Sequence, residues 1–390
     1  MLNLLPVELL LEILRWATTS DKEVDLIESS YAPFQPTLNE SAPDSVLAVK
    51  TNVALVCRDW KYLATKFLYE DIKVSRGIEA LRDALRGEEG RGRLVRRVVL
   101  PYESTVTARH QASLSLPSVE ILRRCTNLET LVRPRLASAS EIAVPQFHFE
   151  AENLAFPSLQ RLDWWYHNEA ERSGGINSLK AVLQGAPNIQ YLSVGGIVGP
   201  GYLFTGVGPL TLHHLHTLRL QGSNGYLLRK LADLLSMPAL TTVIVDFPLA
   251  RMGLSHMWEA FGPQLRRVEF GKHVRFFIDD HLTACLRACP NLTELNFFLF
   301  FTIAPSPTHH RHTSLTTIGL HAGVNGLLQD GETVCEHIEK HFHLLTSDAF
   351  PALRRIILYG EWRGIIAHPR LARMWRLLRD RGITATHGFC

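Results

Sequence analysis

The sequence predicts an α/β chain, with a small helical module at residues 1–72 and stacked strand–helix units over 73–390. Three observations predict it. One short apolar phrase returns at intervals in the twenties and thirties of residues. Segments with helical apolar spacing lie between its copies. The first seventy residues lack the phrase and hold two amphipathic helices instead.

The first helix is LNLLPVELLLEILRWA, residues 2–17. Glu8 and Glu12 interrupt the apolar run and the first basic residue is Arg15, so it is neither a secretory signal nor a membrane span. Pro6 suits a first helical turn, where its missing N–H costs nothing. Leu9, Leu10, Ile13 and Leu14 follow at helical spacing. Residues 20–49 then read as a mobile loop or linker: the stretch 21–45 carries six acidic residues against one lysine, with three prolines. A second helix is predicted over 52–72, with Leu55, Val56, Trp60, Leu63, Ala64 and Phe67 on its apolar face.

The phrase reads CTNLETLVR at 125–133, FPSLQRLDW at 156–164, APNIQYLSV at 186–194, LHHLHTLRL at 212–220, MPALTTVIV at 237–245, GPQLRRVEF at 262–270, CPNLTELNF at 289–297, HTSLTTIGL at 312–320 and FPALRRIIL at 350–358. RLVRRVVL at 93–100 is a weaker first copy. The anchors Leu128, Leu159, Ile189, Leu215, Leu240, Leu265, Leu292, Leu315 and Leu353 are 31, 30, 26, 25, 25, 27, 23 and 38 residues apart. Each phrase ends in the alternation of a strand with one buried face. Helical segments at 118–125, 178–185, 226–236, 256–262 and 280–289 fill the gaps. No single unit can bury its apolar face alone, so neighbours must stack around a continuous core. At 368–382, Leu371, Trp375 and Leu378 form the apolar stripe of a helix expected to cap the open end.

Over residues 90–360 the pattern resembles leucine-rich repeats. The resemblance implies an irregular leucine-rich-repeat solenoid, a horseshoe of strands and helices. Its spacing is uneven, and the asparagine usual after the strand is mostly missing. LPVELLLEIL and ALVCRDWKYLATKFLYEDI, over residues 4–72, resemble the two halves of an F-box, with the loop at 20–49 as an insertion between them. That resemblance implies docking on the Skp-type adaptor of a cullin ubiquitin ligase. Leu5, Pro6, Leu9 and Ile13 would form one part of the contact, and Val56, Cys57, Trp60 and Leu63 would support or share it. The charge of the insertion suggests a regulatory role in that docking.

In a solenoid, the residues alternating with the core positions line the concave sheet and meet the partner. Here they are Arg161, Asp163, Trp165, Tyr191, Arg219, Asp246, Arg267, Glu269, Glu294, Asn296, Phe298, His321, Arg355 and Tyr359. Mixed charge with aromatics suits a target protein better than a polyanion. The net charge of +3 likewise argues against nucleic acid or a lipid surface as the main partner. The six cysteines form no CxxC pair, which reads as reduced thiols in an intracellular protein, cytoplasmic or nuclear.

Enzyme chemistry finds little support. EHIEKHFH at 336–343 spaces His337 and His341 one turn apart, but Glu339 lies midway and matches neither zincin arrangement. A solvated helix face is the simpler reading, and THHRH at 308–312 reads as a loop. GGIVGPGYLFTGVGP at 195–209 runs into prolines rather than a helix, so it is not a dinucleotide turn. The expectation is a receptor without catalytic residues, cofactor or metal. Its rivals are a repeat scaffold whose amino-terminal helices only cap the first repeat, and, more remotely, a metal hydrolase using the histidine-rich last third.

Overall fold

A computed structural model describes residues 6–18, 31–36, 44–74, 77–87, 90–102, 117–135, 153–196, 198, 209–223, 225–247, 251–305, 311–328 and 331–388. The chain is mixed α/β with parallel strands and divides into two compact units. One runs to residue 192 apart from 31–35; the other comprises 31–35 and everything from 193.

In the first unit, α1 (Val7–Thr18) packs on α2 (Asp44–Val56) and α3 (Arg58–Glu70), which pack on each other. The single helix expected over 52–72 is thus two. The break is Cys57, whose backbone is extended at φ −161° and ψ 175° and whose thiol accepts a hydrogen bond from the Trp60 N–H at 3.5 Å. Asp59 in the first turn of α3 favours the new start through the helix dipole. Helix α2 also begins at Asp44, inside the stretch read as the loop.

Helix α3 passes directly into β1 (Asp71–Lys73), which pairs in parallel with β2 (Arg97–Val99). Between them lies α4 (Ile78–Arg86). The unit continues with α5 (Pro117–Arg124), β3 (Thr130–Arg133), β4 (Arg161–Tyr166), α6 (Asn168–Ser173) and α7 (Leu179–Gly185), and reaches β5 (Tyr191–Gly196). Strands β2, β3 and β4 pair in register.

The second unit holds β6 (Leu210–Thr211), β7 (Thr217–Ser223), α8 (Gly225–Leu234), β8 (Leu235–Ser236), β9 (Thr242–Val245), α9 (Arg251–Phe261) and β10 (Arg267–Phe270). It continues with α10 (Val274–Ile278), α11 (His281–Ala288), β11 (Glu294–Phe298), β12 (Thr317–His321), α12 (Gly331–Leu345) and β13 (Arg355–Tyr359). The last elements are α13 (Arg363–Ile366), α14 (Ala372–Asp380) and β14 (Thr384–His387). Strands β7, β9, β10, β11, β12, β13 and β14 pair in parallel in that order, while β6 and β8 form a separate pair.

All ten phrases end in a strand, and the nine anchors are buried. The reason is visible in the hydrogen bonds. In the copies other than that of Leu315 the anchor N–H closes a tight turn onto the carbonyl three residues back, as Leu240 does on Met237 and Leu265 on Gly262. One carbonyl per strand then accepts two N–H groups from the next: Thr241 from Arg266 and Arg267, Arg266 from Thr293 and Glu294, Thr293 from Thr316 and Thr317. Each rung therefore satisfies the backbone of its neighbour, as buried amides require.

Helix α14 does not end the ladder. Leu371, Met374 and Leu378 are buried as the expected stripe requires, with Met374 more buried than Trp375, but β14 follows and takes the edge. Gly382, at φ +70°, provides the left-handed turn that ends the helix and returns the chain to the strand.

Candidate functional site

The helical module presents two kinds of apolar residue. Leu14, Ala64 and Phe67 are buried and hold it together. Leu9, Ile13 and Trp16, at i, i+4 and i+7 on α1, are 51%, 53% and 77% exposed, with Val7, Leu55, Val56 and Tyr62 exposed as well. Trp16 Nε1 at the end of this stripe donates to Glu12 Oε1 at 3.0 Å. Of the residues assigned to adaptor contact, Pro6, Leu9, Ile13, Val56 and Cys57 are exposed and Trp60 and Leu63 are half-buried; Leu5 lies outside the described residues. Helix α3 lies against the turn at Arg91–Leu94, with the Arg91 guanidinium 5.6 Å from the Tyr69 ring centroid.

The charged strand-face residues of the first unit pair within the fold. Arg161 Nε donates to Asp163 Oδ2 at 2.9 Å, both side chains are 1% exposed, and the guanidinium stands 4.2 Å from the buried Tyr191 ring. Trp165 is half-exposed. Beside them Arg133, absent from the sequence-based set, donates to the carbonyls of Leu100, Pro101 and Ile176 and to Asn177 Oδ1. Its guanidinium lies against the rings of Tyr102 and Trp164. Burial pushes the Tyr102 hydroxyl well above the ordinary tyrosine range, and that hydroxyl donates to the Trp165 carbonyl at 2.8 Å.

The second unit builds the same strand positions into a cradle, and residues 31–35 sit in it. Arg219 forks onto Asp246 at 2.6 and 2.9 Å, and Arg267 Nε pairs with Glu294 Oε2 at 2.9 Å. Between these pairs Glu269 Oε2 accepts the Tyr31 hydroxyl at 2.6 Å and the Phe34 N–H at 2.9 Å. Asn296 Nδ2 donates to the Tyr31 oxygen at 2.6 Å and to Glu294 Oε1 at 2.8 Å. The Arg267 guanidinium lies 4.6 Å from the Tyr31 ring centroid. The Phe34 ring enters a cage of Phe298, His321 and Tyr359, each with its centroid 5.0 Å away in edge-to-face geometry. Arg355, assigned to the same face, is exposed.

Burial raises the Glu269 carboxyl to about 7, against the pull of Tyr31, Phe34 and Arg219 in the other direction; Asp246 reinforces the rise. Burial, with the charge of Glu269 behind it, raises the Tyr31 hydroxyl well above its usual value. The cradle thus keeps the Tyr31 proton on tyrosine and uses the hydroxyl as a donor. Phe34 adopts a left-handed φ of 61°, rare for a bulky residue and costing on the order of 1–2 kcal/mol. Its N–H bond to Glu269 and its caged ring offset that cost.

Glycines make the room. A Cβ on Gly319 would stand 2.1 Å from Asn296 Oδ1, one on Gly323 2.9 Å from Phe298, one on Gly360 2.9 Å from His321, and one on Gly388 2.4 Å from Tyr359. Sequence reasoning missed Tyr31, Phe34 and these glycines. The available signal was YAPFQP, an aromatic island inside an acidic stretch.

The histidine motifs resolve differently from expectation. His337 and His341 are not a solvated face: His341 is 1% exposed, its Nδ1 bonds the His337 carbonyl at 2.9 Å, and His337 Nε2 bonds the Leu299 carbonyl at 2.8 Å. Burial lowers His341 to about 3. His312 is buried too, on the Cys289 carbonyl at 2.9 Å, while 306–310 and most of 195–209 lie outside the described residues. Among the described residues, no group of three His, Cys, Asp or Glu could hold a metal ion, and no helix is long and apolar enough to cross a membrane. Charges in the basic run at 81–97 are largely paired: Arg82 and Arg86 with Glu120, Arg96 with Glu129, Arg97 with Asp71.

No family model matches the chain, and none of the curated proteins aligns with it significantly.

Proposed function

We propose that the chain is the substrate-receptor subunit of a Skp–cullin–F-box ubiquitin ligase. In this reading the amino-terminal helices form an F-box module, the strand–helix units form a leucine-rich-repeat solenoid, and the strand face receives a target protein. The chain supplies no catalytic residue. It acts by proximity, holding its target near a ubiquitin-charged enzyme brought by the rest of the complex.

The observation that carries the reading is the outward stripe of Leu9, Ile13 and Trp16. Apolar side chains left in water at helical spacing on a module with its own buried core suit a docking helix. The two rival roles divide between helices. The packing of α3 on the first rungs favours an end cap for that helix, as repeat ladders require. The stripe on α1 has no such employment.

The test is co-purification of the full chain with a purified Skp-type adaptor, with Leu9→Asp/Ile13→Asp as the variant. Deleting residues 1–72 is unsuitable, because β1 would lose Asp71 and Ile72. Buried charge at two anchor positions should weaken adaptor binding by at least about 100-fold while thermal unfolding stays unchanged. Undiminished binding by the variant, or none by the wild type, sinks the adaptor reading and leaves the scaffold.

A further inference from the structure

We infer that residues 31–35 are an internal stand-in for the target, and that the cradle recognises a peptide segment with a tyrosine followed, three residues on, by an aromatic residue. The inference rests on the reading of this strand face as the target-binding surface and is independent of adaptor docking. Adaptor co-purification reports the one and peptide binding the other.

The contacts have the form of peptide recognition. Two aromatic anchors enter two separate sites, a polar one made by Arg267, Glu269 and Asn296 and an apolar one made by Phe298, His321 and Tyr359. The Phe34 N–H is read by the same carboxylate oxygen that takes the tyrosine hydroxyl, which fixes the spacing between the anchors. The left-handed Phe34 turns its ring into the cage.

The cradle does not need this occupant for its own charge balance. Arg219 is paired with Asp246 and Arg267 with Glu294 across neighbouring strands. Glu269 and the cage are the groups that the occupant completes. Their side chains come from β10, β11, β12 and β13, and four glycines leave no competing Cβ in the space they fill. The occupant is more than 230 residues away in sequence, with separations of 235 and 238 to Glu269.

An internal segment competes at an effective concentration of about millimolar, so a target must bind well or find the segment already released. The tyrosine must be unmodified: a phosphate would set two negative charges against Glu269, with Glu294 and Asp246 close behind.

The test uses the full chain and a synthetic peptide spanning residues 29–36, titrated by calorimetry into the wild type and into Tyr31→Ala/Phe34→Ala. The variant should bind one peptide at least about tenfold more tightly than the wild type, whose cradle is filled. Within the peptide, Tyr31→Phe should weaken binding to the variant about tenfold by stripping the hydroxyl from Glu269 and Asn296. Phe34→Ala or a phosphorylated tyrosine should abolish it. A variant that melts as the wild type does and binds no peptide overturns the inference, as does equal affinity in the two proteins. Should the variant unfold, hydrogen exchange on the wild type decides instead. Peptide at about 10 mM, above the effective concentration of the internal segment, must speed exchange of the Phe34 N–H. Unchanged exchange overturns the idea.

Discussion

The strand faces of the two units meet the same requirement in opposite ways. Both bring arginines, carboxylates and aromatic rings to positions that alternate with the core. In the first unit Arg161 and Asp163 neutralise each other and Arg133 is consumed by carbonyls and Asn177, so the charges are paired by residues fixed in the fold. In the second unit Glu269, Asn296 and the cage are closed by a five-residue segment from far away in the sequence. A repeat position can thus serve as internal cement or as a receptor, and the difference lies in whether its partner can leave.

The largest expected effect follows from breaking the fixed face. Arg161→Ala leaves Asp163 buried without its partner, which typically costs about 3–5 kcal/mol. Urea unfolding should show the loss as a lower midpoint at unchanged slope. Tyr31→Ala/Phe34→Ala should cost only about 1–2 kcal/mol by the same measurement, because side-chain contacts are lost while the ion pairs of the cradle stay paired and water can reach Glu269. Equal losses in the two experiments would mean that the segment is cement after all.

How much of this was legible in the sequence follows from what is local and what is not. The strands were readable because each phrase buries its own alternating face and closes its own turn: Leu240 and Leu265 need only their neighbouring rungs. The break at Cys57 was not, because the apolar spacing runs straight through it and the extended backbone of one residue leaves no periodic trace. His341 was misread as exposed because helical spacing alone cannot say that Phe297 waits beside it; the ring centroids lie 5.8 Å apart. The strand-face residues of both units were named alike, since Arg161 and Arg267 occupy the same kind of position. Only the fold distinguishes a guanidinium stacked on its own Tyr191 from one stacked on Tyr31. Tyr31 and Phe34 follow no period at all, and acidic, proline-rich surroundings concealed them.

An effect of similar size sharpens the comparison from the glycine side. Gly319→Ala would set a Cβ against Asn296 Oδ1 and force that side chain away from the Tyr31 hydroxyl. Stability should fall by about 1–3 kcal/mol through strain in the cradle, and exchange of the Phe34 N–H should speed up with it. A variant as stable as the wild type, with the Phe34 amide equally protected, would show that Asn296 does not hold the segment.

The smallest expected effect is in pH, where two buried groups pull in opposite directions. Glu269 titrates at about 7 in the fold, above an unfolded value of 4.5, so the folded chain holds the extra proton between them. The stability this proton confers is full below 4.5 and is lost as pH rises through 7. His341 titrates at about 3 against an unfolded 6.5, so its contribution is present above 6.5 and is lost as pH falls towards 3. Around Glu269 the facing groups are Tyr31, Arg219 and Asp246, with Arg267 and Glu294 alongside; His341 is faced by His337. Their opposing slopes leave the wild type nearly flat between pH 5 and 6.5. Glu269→Gln removes the first slope and should leave a chain whose unfolding free energy falls with acid, by about 1 kcal/mol per pH unit at most. Unfolding curves at pH 5, 6 and 7 for that variant would read it directly. Equal slopes in the variant and the wild type would mean that Glu269 is ionised throughout, and that the segment holds it as a carboxylate by its two hydrogen bonds.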